Sequence, residues 1–378
     1  MKRIKTSVRP DWQKTVESQG MIYHTAEGVP YWDESAYYEF SSQEIDVLEK
    51  ATNELHQMCL AAVGEVIDNK RYKELCIPES AIPMIEYSWN NETPAIYGRF
   101  DLAYSGEGLP PKMLEYNADT PTSLLEAAVI QWYWQQDKFK NADQFNSIHE
   151  RLIAKWKELK DYLKGDMLHL AYMDTWEDYM TVAYMADTAV QGGLRTKLIP
   201  IEHVGWDTQD KVFVDNEMLG MKNVFKLYAW EWMLKDQYGA NVPETLETTY
   251  FLEPPWKMIL SNKGILPLLW EMYPNHPNLL AAYYEPSKLQ WHVKKPFFSR
   301  EGANITIVTD VEKLAESGGT YGEEGYIYQD FAPLPKFDGN HPVLGSWVID
   351  GESAGMGIRE STSLITNNLG RFIPHIIK

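Results

Sequence analysis

Two short strings carry most of the chemistry legible in this sequence. Tyr97-Gly98-Arg99-Phe100-Asp101 and Leu114-Glu115-Tyr116-Asn117-Ala118-Asp119 flank a span rich in turn formers, Ser105-Gly106-Glu107-Gly108 and Pro110-Pro111. The pattern predicts a hairpin of two strands, 95–104 and 112–118. Side chains alternate faces along a strand, so Arg99 shares a face with Asp101, and Glu115 shares one with Asn117 and Asp119. A hairpin centred near Gly108 sets Asp101 across from Glu115 and Arg99 across from Asn117. Facing carboxylates repel. A divalent cation removes that conflict, and carboxylates with an amide oxygen are hard donors suited to Mg2+. The same pattern would also serve as the solvated polar face of a hairpin.

Two neighbouring stretches extend the picture. Thr120-Pro121-Thr122-Ser123 leads into an apolar run. Pro121 fits a first helical turn, and Ser123 with Glu126 fits a capping box. A helix over 123–137 would then begin beside the carboxylates, its free amides open to an anion or simply capped. Further on, Lys294 to Asn304 runs from a strand into a loop holding Ser299, Arg300 and Gly302. Backbone donors of such a loop can close over phosphates while Lys295 and Arg300 neutralise charge. The loop lacks GxxxxGK[ST] and is no Walker A loop; alone it would equally be a surface turn.

The elements that must hold these residues follow from periodicity. Ile45, Leu48, Leu55, Val63, Val66 and Ile67 predict a helix over 45–67, with Ser41 and Glu44 as its capping box. A helix over 143–163 carries Phe145, Ile148, Leu152, Trp156 and Leu159 on one stripe. A buried strand over 167–173, a helix over 176–191 and a strand over 196–204 come next, then helices over 228–238 and 262–272 despite Pro267. The last third is strand-rich: 291–298, 305–309, 326–331, 343–349 and 355–359. This mixed order predicts an α/β or α+β enzyme with parallel and antiparallel strands.

Composition narrows the partners. The 378 residues suffice for a sizeable core, and the charge of −19 argues against nucleic acid and against anionic membrane surfaces while tolerating cationic amines. Cys59 and Cys76 form no CxxC pair and no disulfide framework, which points to reducing cytosol. The basic start is followed by no apolar run, and the most apolar stretch, 265–270, is too short to span a bilayer. The 14 Trp and 23 Tyr are read first as core, because such rings bury much area.

Together the strings YGRFD (97–101), LEYNADTPTS (114–123), SNKGILPLLW (261–270), KPFFSREGANI (295–305), YQDFAPLP (328–335) and GSWVIDGESAGMGIRE (345–360) resemble the synthetase part of the glutathionylspermidine synthase family. Within it the chain is most similar to the stand-alone bacterial acid–amine ligases. The resemblance implies an ATP-grasp fold related to glutathione synthetase. It implies one catalytic unit over 1–378 with a mobile lid at about 291–309, and no cysteine-type amidase domain. It also implies roles. Asp101, Glu115 and Asn117 would bind two Mg2+ ions. Arg99 would contact the transferred phosphoryl group, with Arg300 on the lid as a second catalytic group. Lys263 and Lys295 would grip ATP, and Gln329, Asp330, Phe331 and Ala332 would line the adenine pocket. Phe100, Glu301, Leu364, Ile365 and Thr366 complete the implied nucleotide set. Thr120, Thr122 and Arg359 would face the acid substrate, and Glu177 and Asp178 the amine-side or peptide substrate.

Two departures stand out beside the resemblance. Thr120 and Thr122 occupy positions where the synthetases tend to have serines. Arg371 aligns with an acidic residue near the polyamine, which predicts that glutathione with spermidine is a poor pair. The function implied is an ATP-dependent acid–amine ligase that forms an amide through an acyl phosphate, acting on a peptide or amino-acid-like acid. Two alternatives stay open. A carbohydrate-active or carbohydrate-binding protein would also be acidic, Trp-rich and furnished with paired carboxylates, but would not need Lys263 or Lys295. A degenerate ATP-grasp protein would bind nucleotide without turnover; the retained metal positions and lysines argue against it.

Overall fold

The computed structural model describes every residue except 27, 311 and 367–369. Three sheets frame the site. The first is antiparallel, with strands in the order Arg371–Ile373, Glu352–Ser361, His341–Ile349, Tyr97–Ala103, Lys112–Asn117. The hairpin forms in the expected register, with Arg99 opposite Asn117 and Asp101 opposite Glu115. Its buried central strand needs small residues where large groups cross it. A Cβ on Gly98 would lie 2.6 Å from the Tyr116 hydroxyl, and one on Gly345 would lie 2.8 Å from Arg99 Cδ.

The second sheet is also antiparallel: Ala282–Tyr283, Tyr326–Asp330, His292–Pro296, Thr306–Val308, Lys313–Glu316. The third is parallel, in the order Tyr250–Leu252, Asn223–Leu227, Met167–Tyr172, Arg195–Pro200. Parallel neighbours need a crossover, and the Trp176–Gln191 helix supplies the one between Met167–Tyr172 and Arg195–Pro200. The fold is thus mixed α/β, as the element order predicts.

The long Ser42–Asp68 helix begins on the expected capping box: the Ser41 side chain accepts from the Glu44 amide, and the Glu44 carboxylate accepts from the Ser41 amide. Its apolar stripe packs into one core cluster with Phe100, Tyr116, Leu268 and Leu344. A second cluster gathers Trp134, Trp156, Tyr97, Leu170 and Trp347 around the parallel sheet. Trp32, Trp134, Trp156, Trp230 and Trp347 are fully buried, in line with the core assignment, whereas Trp132, Trp176, Trp232 and Trp291 are exposed and depart from it. No described helix is long and apolar enough to cross a membrane.

Four expectations are corrected. Ser123 adopts a left-handed conformation (φ 66°) and its hydroxyl meets that of Tyr31 at 3.1 Å, so it forms no capping box with Glu126. The expected helix over 123–137 instead contains a π-helical stretch, Glu126–Ile130, ahead of the α-helix Gln131–Lys138. The stripe assigned to 143–163 is helical only over Ile148–Leu159, with Phe145 before it. The 228–238 helix shrinks to Trp230–Met233.

Candidate active site

A cavity of about 590 Å³ lies between the three sheets. Its floor is the polar face of the hairpin. Arg99, Asp101, Glu115 and Asn117 all line it, because strand alternation and the observed register turn them the same way. Both carboxylates are already paired with cations. Asp101 accepts from Arg99 Nε at 2.8 Å through Oδ1 and from Arg359 Nη2 at 2.7 Å through Oδ2. Glu115 meets Lys263 Nζ at 3.0 Å, and Asn117 Nδ2 reaches Glu115 Oε1 at 3.3 Å. Burial alone would push the Glu115 carboxyl up, but Lys263 and Lys295 hold it well below the usual carboxylate range. Among the described residues no three His, Cys, Asp or Glu side chains cluster as metal ligands. The candidate set for a cation is two carboxylates and one amide.

Arg99 is fixed on several sides. Its Nη1 donates to the Thr122 carbonyl at 2.6 Å, its guanidinium lies 5.7 Å from the centre of the Trp347 ring, and Gly345 leaves room for its stem. Thr122 and Thr120 stand at the rim of the same cavity, in the loop that follows the Lys112–Asn117 strand. Asp119 anchors that loop: it binds the buried Lys226 ammonium at 2.5 Å and accepts from the Trp230 amide at 3.1 Å.

The second sheet supplies the wall opposite. Lys295 Nζ donates to the Leu114 carbonyl at 2.9 Å and to Gln329 Oε1 at 2.6 Å. Burial pushes the Lys295 amine down to about 8, with Glu115 pulling it up and Lys263 pushing it further down. Val293, Ile305, Ile307, Phe331 and Leu334 form an apolar slot beside these polar groups. Asp330 and Ala332 complete its edge, and Leu364, Ile365 and Thr366 line the cavity as well.

The 299–304 loop folds over this wall. Lys263 donates to the Ser299 carbonyl at 2.5 Å. Arg300 reaches Thr120 Oγ1 at 2.6 Å and Glu231 Oε1 at 2.7 Å, and lies 5.1 Å from the centre of the Trp232 ring. Gly302 has φ +69°, and a Cβ there would lie 2.5 Å from the Thr366 carbonyl oxygen. Among the described residues, Ser299 Oγ, Arg300 Nε and Thr366 Oγ1 are buried without a hydrogen-bond partner. Unpaired buried donors are costly, so three of them around one loop mark a place suited to an anion.

The remaining rim is acidic. Glu177 and Asp178 open the Trp176–Gln191 helix, whose N-cap Thr175 accepts from the Asp178 amide at 3.2 Å. Both line the cavity with Glu301. Burial, then Glu177 and Glu301, push the Asp178 carboxyl up to about 7. Trp176 stands at this end, 65% exposed.

The cavity therefore gathers Arg99, Asp101, Glu115, Asn117, Thr120, Thr122, Glu177, Asp178, Lys263, Lys295, Arg300, Glu301, Gln329, Asp330, Phe331, Ala332, Arg359, Leu364, Ile365 and Thr366. Phe100 is the exception. Its side chain is fully buried on the other face of the strand, stacked at 3.9 Å on Tyr116. Arg371 is a correction as well. It pairs with Glu360 across the sheet, on the face away from Arg359, and its guanidinium is held by Asp33 at 2.8 Å, Asn340 at 2.7 Å and Glu360 at 3.0 Å. It does not line the cavity, so its charge offers no direct repulsion to an amine bound there. Sequence reasoning missed Glu231 and Trp232, which hold Arg300. Their only signal was an acidic and aromatic cluster at 228–232.

Comparison with known proteins places the chain in a family. The description "Glutathionylspermidine synthase preATP-grasp" matches residues 3–378. A Haemophilus influenzae protein named "Putative acid--amine ligase" is 42% identical over 99% of this chain and 99% of its own length. The trypanothione synthetase of Crithidia fasciculata is 30% identical over 83% of this chain, which spans 52% of that longer protein. A glutathione synthetase-like effector from Globodera pallida shares the fold, with a TM-score of 0.59 over 97% of this chain and 96% of its own at 9% identity. The chain belongs to the glutathionylspermidine synthase family, on a glutathione-synthetase-like ATP-grasp fold.

Proposed function

We propose that the protein is an ATP-dependent acid–amine ligase that forms an amide bond through an acyl phosphate. The observation that carries this is the meeting, in one cavity, of the Asp101–Glu115–Asn117 face with Lys263, Lys295 and the unpartnered donors of the 299–304 loop. The apolar slot of Val293, Ile305, Ile307, Phe331 and Leu334 suits a flat base, with Gln329 to Ala332 at its edge. Lys263, Lys295 and the loop donors suit the phosphates. Asp101, Glu115 and Asn117 would hold two Mg2+ ions, which supply charge neutralisation at the phosphates.

Arg99 would offset charge on the transferring phosphoryl group, with Arg300 joining it as the loop closes and excludes water. A carboxylate oxygen of the acid attacks the γ-phosphorus as the bond to ADP breaks. The amine nitrogen then attacks the acyl carbon, expels phosphate and loses a proton. Asp178, with its carboxyl near 7, is placed to take that proton. Arg359, Thr120 and Thr122 would seat a peptide or amino-acid-like acid, because a guanidinium fork suits a carboxylate. Glu177, Asp178 and Glu301 would attract the amine. We read residues 1–378 as one catalytic unit, active in a reducing, cytoplasmic setting consistent with two unpaired cysteines.

The test is ADP release from purified protein across a matrix of acids and amines, with nucleotide affinity measured alongside. Pair-dependent ADP release is the expected result. Failure to bind ATP with Mg2+ at all would sink the ligase reading. Tight nucleotide binding without ADP release for any pair would favour a binding protein without turnover.

A further inference from the structure

We infer that Arg359 serves two carboxylates in turn, that of Asp101 and that of the acid substrate, so that a divalent cation taken up by Asp101 hands Arg359 to the substrate. This rests on the ligase reading above and assigns it an internal coupling between metal and acid. Asp101 is 6% exposed and both of its oxygens are engaged by arginines, Arg99 at 2.8 Å and Arg359 at 2.7 Å. A cation bound to Oδ2 would face the Arg359 guanidinium at contact distance. Two positive groups cannot share one buried oxygen without a large repulsive cost, so one must leave.

The surroundings decide which arginine leaves. Arg99 has a 7% exposed side chain, a second hydrogen bond to the Thr122 carbonyl, and Trp347 and Gly345 against it. Arg359 has a 22% exposed side chain, and among the described residues its one side-chain hydrogen bond is to Asp101. Its backbone is locked between Val343 and Phe372, so only the side chain can move. It already lines the cavity shared with Thr120 and Thr122. Turning from Asp101 towards that rim gives the guanidinium a new anion only when an acid is present. Before the cation arrives, Asp101 competes with the substrate for Arg359; afterwards it does not. Coupling of this kind is reciprocal: the acid must strengthen cation binding by the same factor that the cation strengthens acid binding.

The experiment uses the full chain, the non-hydrolysable analogue AMPPNP, Mn2+ as the divalent probe and glutathione as the acid probe. Free Mn2+ is read by electron paramagnetic resonance, and glutathione binding by calorimetry. In the unmodified protein with AMPPNP, glutathione is expected to bind roughly tenfold tighter with Mn2+ than without, within the usual range of coupling factors. In Arg359→Gln with AMPPNP, Mn2+ is expected to bind roughly tenfold tighter, since its competitor is gone. The dependence of glutathione binding on Mn2+ should vanish in that variant. Repeating the Mn2+ titration near 1 M salt separates contact from long-range field, because the screening length falls to about 3 Å. A gain that persists supports the exchange, and one that disappears overturns it. Equal Mn2+ affinity in both proteins, or glutathione affinity indifferent to Mn2+ in the unmodified protein, also overturns it while leaving the ligase reading intact. Absence of any Mn2+ and AMPPNP binding refutes both.

Discussion

Asp101→Asn separates the two electrostatic forces at the cavity floor before any ligand is added. From the hairpin alone, removing one of two facing carboxylates should relieve repulsion and cost no stability. The structure reverses that expectation. Asp101 and Glu115 are each neutralised by cations, and Asp101 accepts from Arg99 at 2.8 Å and Arg359 at 2.7 Å. Asn keeps the shape and one acceptor oxygen but loses the charge, and its amide hydrogens point at a guanidinium. A hydrogen bond to a charged group contributes roughly 1.5–3 kcal/mol, and removing one partner of a buried pair costs about 3–5 kcal/mol. Arg359, with a 22% exposed side chain, can turn to solvent and recover part of that. The net loss should be about 2–3 kcal/mol. At this chain length a kcal/mol moves the melting temperature by roughly 1–2 °C, so the melt should fall by about 3–5 °C. The assay is thermal unfolding followed by circular dichroism in metal-free, nucleotide-free buffer. Glu115→Gln is the comparison: Lys263 at 3.0 Å and Lys295 hold that carboxyl well below the usual carboxylate range, so losing its charge should lower the melt as well. Both variants should lose ATP turnover. An Asp101→Asn protein melting at or above the unmodified one would show that carboxylate repulsion still dominates and that the arginine bridge contributes nothing.

Other outcomes follow from the walls of the cavity. With the Lys295 amine pushed down to about 8, its charged form is lost as pH rises through that value. AMPPNP affinity should therefore weaken about tenfold for each pH unit above it, up to the pKa of the bound state, and Lys295→Met should bind weakly with no such slope; the same slope in the variant would point to another group. ATP with Mg2+ should slow proteolysis within 299–304, and equal cutting with and without nucleotide would remove the lid role. Gly302→Ala, placing a Cβ 2.5 Å from the Thr366 carbonyl at a φ of +69°, should abolish that protection while leaving the melting temperature nearly unchanged. Full protection in Gly302→Ala would show that this contact does not seat the loop.

The floor of the cavity was legible because strand geometry is simple. Turn residues around Gly108 announced the hairpin, and period-two alternation indicated which side chains share a face; the turn alone would leave Asp101 opposite Leu114, and a register shift between Asp101 and Leu102 brings it opposite Glu115. The capping box at Ser41 and Glu44 was legible for a similar reason: its partners are three residues apart and need no tertiary contact. The same motif at Ser123 and Glu126 failed because tertiary contacts took its parts. The Ser123 hydroxyl meets Tyr31, far away in sequence, and Glu126 is buried with its carboxyl pushed up to about 7. Glu231 and Trp232 escaped notice because what they hold, Arg300, lies nearly seventy residues on, and nothing local to 228–232 announces it.

Arg371 shows what an alignment without alternation misses. Its position in the Arg371–Ile373 strand was read as facing the amine, yet the pairing of Glu360 with Arg371 and of Arg359 with Phe372 turns Arg371 away from the cavity. There it works as structure. Glu360 is fully buried and accepts from Arg3, Tyr38 and Arg371, while Asp33 takes the other arm of the Arg371 guanidinium. Arg371→Asp would place a third carboxylate beside Asp33 and Glu360, leaving Glu360 with Arg3 and taking from Asp33 the cation it is paired with. A buried charge stripped of its partner costs about 3–5 kcal/mol, so the variant should melt several degrees lower. Its choice among amines should not move, since the substituted side chain still lies across the sheet from the bound substrate. Arg371→Gln, which keeps donors for Asp33 and Glu360, should recover part of the melt. The measurement is a melting curve beside ADP release for one fixed acid with a diamine, a triamine and an amino acid. A changed amine preference in Arg371→Asp at an unchanged melting temperature would put the residue back in the amine pocket.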